Sequence, residues 1–185
     1  MDRRKFVFGA IGGSLIAGGI FPLMTSANKA SANITALQTD WQKLLAPNAK
    51  IATNVSPLEK SPQKWAQELP KDSFQVLFEE DTERAFTSPL NDEKRAGIFV
   101  CRACDLPLFS SAMKYNSGTG WPSFFTSIPG HLATKTDYKL IWPRTEYHCV
   151  KCGGHQGHVF DDGPAPTGQR WCNNGVALRF IPRDA

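Results

Sequence analysis

The stretch Ile98-Phe99-Val100-Cys101-Arg102-Ala103-Cys104 decides the fold. It is a strand-like run that ends in a C-x-x-C turn. Short segments of the same texture follow at Trp121–Ile128, Leu140–Pro143, Thr145–His148, Gly157–Phe160 and Gly175–Ile181. Each is rich in aromatic or β-branched residues, with Gly, Pro, Asn or Asp between them. The body from Gly97 onward therefore reads as mainly antiparallel β.

A second pair, Cys149-Val150-Lys151-Cys152, follows the first after 44 residues. Two such pairs suit a tetrahedral zinc site of four thiolates, Cys101, Cys104, Cys149 and Cys152, in which one ion clips two distant hairpins together. Four thiolates close the coordination sphere, so this metal is expected to be structural. The rival reading is two disulfides, which an oxidising compartment favours. Cys172 is left without a partner.

Around Cys172 the chain gathers Gly154-His155-Gln156-Gly157-His158-Val159-Phe160-Asp161-Asp162 and Arg170-Trp171-Cys172-Asn173-Asn174. A leftover cysteine is often an inert buried thiol. Here a cation lies two residues away, two asparagines adjoin it, and an acidic, histidine-bearing turn precedes it. A nearby cation favours the thiolate, which is the reactive form. The histidines by themselves are also compatible with ordinary hydrogen-bonded residues, and Asp161-Asp162 before Gly163-Pro164 is good turn chemistry.

Upstream of Gly97 the pattern is helical. Ile34, Leu37, Trp41, Leu44 and Leu45 recur at helical spacing over 33–46, until Pro47 stops them. Residues 47–60 read as a linker. Ser61-Pro62 is an N-cap followed by proline at the first helical position, opening a helix to about Leu69, and a second piece spans Asp72–Glu80. The N-terminus has Asp2-Arg3-Arg4-Lys5, an uncharged run from Phe6 to Met24, and Ala30-Ser31-Ala32. A charged start, an apolar middle and a small-residue site describe an export signal, and the paired arginines point to the twin-arginine route. Cleavage is expected after Ala32, and the protein in the periplasm or another extracytoplasmic compartment. A membrane anchor is the alternative if the segment stays uncut.

The 185 residues suffice for one domain plus an appendage. Of the net charge of +4, residues 1–32 carry +3. A near-neutral body without a Lys/Arg stripe argues against nucleic acid as a partner.

In order along the chain, Thr82-Glu83-Arg84-Ala85-Phe86-Thr87-Ser88, Gly97–Cys101, Ser117-Gly118-Thr119-Gly120-Trp121-Pro122-Ser123-Phe124 and Arg144-Thr145-Glu146 are followed by Cys149-x-x-Cys152-Gly153, Gly157–Pro164 and Arg170–Asn174. Together, over roughly residues 59–182, they resemble methionine-R-sulfoxide reductases of the B type. The resemblance implies two antiparallel sheets, zinc on the two C-x-x-C pairs, and Cys172 at the family's nucleophile position. It implies His158 as proton donor, His155 and Asn174 as groups that orient the sulfoxide, and Arg170 as the cation that lowers the thiol pKa. It further implies Asp162 fixing the histidine and arginine, and Trp121 as the apolar wall for the S-methyl group. Oxidised proteins would be the substrates, and the R epimer comes from the resemblance alone.

The chain departs from the family at Thr119, where many members place a resolving cysteine. With none here, a one-cysteine cycle is expected, in which an external thiol, thioredoxin-like or other, reduces a sulfenic acid on Cys172 directly. The domain plan is a signal at 1–32, a helix and linker at 33–58 and the reductase domain at 59–185. Two other classes remain open: a non-catalytic zinc-ribbon module in which Cys172 is structural, and a zinc hydrolase, which needs an open metal position.

Overall fold

A computed structural model describes residues 26–138 and 143–184, with side chains from residue 33 onward. Three helices come first: α1 (Ser26–Thr39), α2 (Pro62–Glu68) and α3 (Lys71–Glu79). The strands are β1 (Gly97–Cys101), β2 (Pro107–Ser110), β3 (Lys114–Tyr115), β4 (Ser123–Phe124), β5 (Leu132–Asp137), β6 (Arg144–Cys149), β7 (His155–Phe160), β8 (Arg170–Asn173) and β9 (Leu178–Pro182). They form a three-stranded sheet in the order β2-β1-β9 and a six-stranded sheet in the order β3-β4-β8-β7-β6-β5. Every pairing is antiparallel, as the strand texture predicts.

β1 is buried along its whole length because it is central in its sheet and covered on both faces. On the inner face Phe99 meets Phe124 edge-on at 5.0 Å, and Phe109 of β2 stacks on Phe124 at 4.0 Å between ring centroids. These aromatics and Tyr147 fill the space between the two sheets. On the outer face Ile98, Val100 and Ile181 lie under Trp41, Leu44, Leu45, Ala49 and Ile51.

The segment before residue 59 is therefore part of the packing. Ala52 donates its N–H to the Asp105 carbonyl, and Leu58 to the Lys151 carbonyl, so the stretch read as a linker is laid against both C-x-x-C turns. Trp41 also meets His131 edge-on at 6.0 Å. Trp41→Ala on the full chain is expected to cost about 2 kcal/mol, below the range for a fully buried tryptophan because the ring is only half-buried. A denaturant midpoint unchanged by this substitution would show that the segment adds nothing.

Several elements differ from the sequence pattern. α1 starts at Ser26 and runs through Ala30-Ser31-Ala32, then tightens into a 3-10 turn at Asp40–Leu44 instead of continuing to Ala46. The Thr39 hydroxyl donates back to the Thr35 carbonyl, a side-chain bond that competes with the helix at this point. Trp121–Ile128 yields only β4, since Pro122 lacks an N–H and the chain bends so that Phe125 and Ile128 bond Met113 and Leu108. α2 is capped by Ser61 as expected, with the Lys64 N–H on its hydroxyl. The paired arginines and the apolar run to Met24 lie outside the described residues, as does most of the strand expected at Leu140–Pro143. No helix among the described residues is long and apolar enough to cross a membrane.

Candidate active site

The register of the six-stranded sheet builds the site. One row crosses all six strands: Tyr115, Ser123, Cys172, His158, Glu146 and Lys135. Directly paired residues point to the same face, so Cys172 and His158 stand side by side. Gly157 allows this approach, because a Cβ there would collide with the Cys172 carbonyl oxygen.

His155 lies an odd number of residues from His158, and strict alternation would put it on the opposite face. The pairing shifts by one residue between Tyr147 and His148, a β-bulge in which Gln156 is the extra residue. The bulge returns His155 to the face of His158, with ring centroids 5.4 Å apart. Gln156 turns inward and is fully buried.

Cys172, Arg170, His158, Trp121 and Thr119 line a cavity of about 230 Å3, below the usual range of roughly 300–1,000 Å3 for small-molecule and cofactor sites. The Trp121 indole N–H donates to the Glu83 carbonyl at 2.9 Å, which holds the ring as one wall. Arg170 is clamped by Asp162 through two bonds of 2.8 and 2.9 Å and lies 4.2 Å over the Phe160 ring. His155 faces a second, more polar cavity that His158 shares. Asn174 lines the first cavity. Its amide spends one N–H on the Gln156 carbonyl and its oxygen on the Glu83 N–H, leaving its second N–H for the cavity.

The carboxylates on the histidines are not Asp162. His158 Nε2 lies 2.8 Å from Asp137 Oδ2, which also takes an ion pair from Arg144 at 2.6 Å, and His155 Nδ1 lies 2.7 Å from Glu146 Oε1. Asp162 thus holds the arginine alone of the two groups assigned to it by resemblance. Ionised carboxylates only accept, so Nε2 of His158 carries a proton and Nδ1 takes the second when the ring is charged. Glu146 falls in one of the sequence signatures with no role attached to it, and Asp137 falls in none. Nothing local marks them, because they reach the histidines only through strand pairing.

Burial pushes the Cys172 thiol above its ordinary range, while Arg170 and the neighbouring Thr119 hydroxyl pull it part of the way back. The arginine acts in the direction expected from the sequence, but desolvation outweighs it. Burial likewise lowers His158, against the pull of Asp137.

Cys101 and Cys104 at the β1–β2 turn meet Cys149 and Cys152 at the β6–β7 turn, with all four sulfurs within 4.8 Å of one another. Cys101 and Cys152 are 3.5 Å apart, as are Cys104 and Cys149. A tetrahedral ion with sulfurs at about 2.3 Å has edges of about 3.8 Å, so this donor set fits one. No two of the sulfurs are bonded to each other, and the four converge on one point as a metal donor set does.

A double-sheet β protein with a four-cysteine cluster able to hold a metal, and a separate cysteine beside a carboxylate-paired histidine, has a layout suited to an oxidoreductase. The comparisons agree. Residues 69–182 match the SelR domain. The chain is 47% identical to the peptide methionine sulfoxide reductase MsrB of Hahella chejuensis over 128 residues, 69% of this chain and 92% of that protein. It is 47% identical to the protein of the same name from Pseudomonas putida, over 69% and 96% of the two chains. With the chloroplastic peptide methionine sulfoxide reductase B1 of rice the identity is 46%, over 64% of this chain and 56% of that protein. The chain belongs to the SelR domain family, that of the MsrB oxidoreductases, and is an enzyme.

Proposed function

We propose that the protein reduces the R epimer of methionine sulfoxide in oxidised proteins, through a sulfenic acid on Cys172. The pairing of Cys172 with His158 at a cavity walled by Trp121 carries this reading. The resting pair is a thiol and a neutral imidazole, given the direction of both shifts. The thiol proton passes to His158, whose charged form Asp137 stabilises, and then to the sulfoxide oxygen as Cys172 attacks. In net terms the oxygen moves from the methionine sulfur to Cys172: methionine is reduced by two electrons and the cysteine is oxidised to the sulfenic acid. Trp121 receives the S-methyl group, His155 and Asn174 orient the sulfoxide, and Arg170, held by Asp162, supports the thiolate.

With threonine at 119 an external thiol, thioredoxin-like or other, condenses with the sulfenic acid and releases water. A second thiol then frees Cys172 and leaves as a disulfide. Zinc on Cys101, Cys104, Cys149 and Cys152 would supply no step; bound there, it would offset part of the charge of the four thiolates and fasten the two hairpins. The paired arginines and Ala30-Ser31-Ala32 support export to the periplasm or a similar compartment, with 1–32 as signal, 33–58 as cover and 59–185 as catalytic domain.

The test is turnover of separated R and S epimers of a dabsyl-methionine sulfoxide with dithiothreitol, using the chain from residue 33. Turnover of R alone is expected. Turnover of S, or of neither epimer by folded protein, overturns the reading.

A further inference from the structure

Beside Cys172 lies a chain of hydroxyls that the reaction above does not use. Ser123, in the row with Cys172, is buried and bonded to Ser117 at 2.8 Å, and Ser117 to Thr119 at 2.8 Å. Thr119 in turn lines the same cavity as Cys172, where its hydroxyl draws the thiol pKa downward. At the far end the Ser123 hydroxyl reaches the Trp121 carbonyl at 3.1 Å.

The proton count is informative, because each hydroxyl has one proton and can point either way. Extended to the Cys172 sulfur as a thiol, the chain has four protons for four bonds in one direction: Cys172 to Thr119, Thr119 to Ser117, Ser117 to Ser123, and Ser123 to the Trp121 carbonyl. With Cys172 as a thiolate, three protons run the other way and end on the sulfur. Both states leave every hydroxyl donating, and the change between them needs rotation of hydrogens only. Such chains strengthen each member bond, and a bond to a charged group is the stronger kind.

From this geometry we infer that Thr119 is a catalytic residue donating to the Cys172 sulfur, and that Ser117 and Ser123 are positioning residues that orient the donation. The inference rests on Cys172 being the nucleophile. The threonine thus occupies the place of a resolving cysteine but acts at a different moment. It holds the anionic sulfur through attack, where a cysteine would later take it up as a disulfide.

The other titratable groups that face Cys172 are Arg170 on its own strand, Asp162 beyond β7, His158 on β7, Tyr115 on β3 and Tyr147 on β6. All are unchanged by substitution at 117 or 119. The experiment is the pH dependence of Cys172 alkylation by iodoacetamide on zinc-loaded full chain, read at the Cys172 peptide by mass. In wild type the rate is expected to climb beyond the ordinary thiol midpoint of about 8.5. Thr119→Val, which keeps the shape and removes the donor, is expected to raise the midpoint by about one unit or more, the scale of a lost hydrogen bond to a charged group. Thr119→Ser should restore it, and Ser117→Ala should give a smaller rise. An unchanged midpoint in Thr119→Val, or an equal rise in valine and serine variants, overturns the role of Thr119; an unchanged midpoint in Ser117→Ala overturns the relay. Thr119→Ala gives the same readout should valine disturb the turn. Alkylation needs no sulfoxide, so its outcome is separate from that of the epimer assay.

Discussion

Cys172→Ser is expected to lower methionine sulfoxide turnover by about a thousandfold or more, the scale on which enzymes lose a nucleophile, while the melting temperature holds. The two parts of that expectation have separate grounds. Serine is close in shape to cysteine, and the site is only half-buried. A serine hydroxyl can still meet Thr119, so the β4-β8-β7 register should survive. What disappears is the sulfur. A sulfenic acid requires an atom that accepts the sulfoxide oxygen and later gives it up to a thiol, and no hydroxyl does this. The other four cysteines cannot substitute, because they sit at the β1–β2 and β6–β7 turns, away from the cavity. Single turnover without reductant, with near-UV circular dichroism on the same sample, makes the measurement. Activity within about tenfold of wild type would mean that the oxygen goes elsewhere and that Cys172 is not the nucleophile.

The sequence made the thiol chemistry legible because its signals are local. Two C-x-x-C pairs announce a four-sulfur cluster wherever the chain folds, and His158, Arg170 and Cys172 lie within fifteen residues on two strands joined by a turn. What escaped depends on pairing. Asp137 reaches His158 from two strands away, and Glu146 reaches His155 across a bulge that no residue type signals. The resemblance assigns Asp162 to both the histidine and the arginine, yet its hydrogen bonds go to Arg170. β3 and β4, two residues each, are too short for periodicity to register. The cover at Trp41 was visible as an amphipathic pattern, but its target was not: the outer face of β1 is as apolar as the inner face, and only the three-stranded sheet shows that it needs a lid.

Removing the metal, by chelation or by Cys149→Ser, is expected to cost on the order of 5 kcal/mol or more, a large part of what holds a domain together. The cluster joins the end of β1 to the end of β6, so the ion fastens one sheet to the other. Without a cation, four thiolates at this spacing repel strongly, and protonating them leaves buried thiols with poor partners. The effect should also reach the active site. Gln156, the bulged residue that sets the face of His155, donates to the Cys101 sulfur at 3.4 Å, and its oxygen accepts from Asn173, the neighbour of Cys172, at 3.4 Å. Asn173 in turn accepts from the buried Tyr147 hydroxyl at 2.8 Å. Loosening Cys101 therefore frees the bulge before the sheets separate. Activity should fall at lower chelator concentration than circular dichroism does, with zinc released in step with activity, as a colorimetric chelator would record. Metal-free protein that melts where the loaded protein does, and turns over sulfoxide equally well, would reduce the cluster to an incidental feature of the turns.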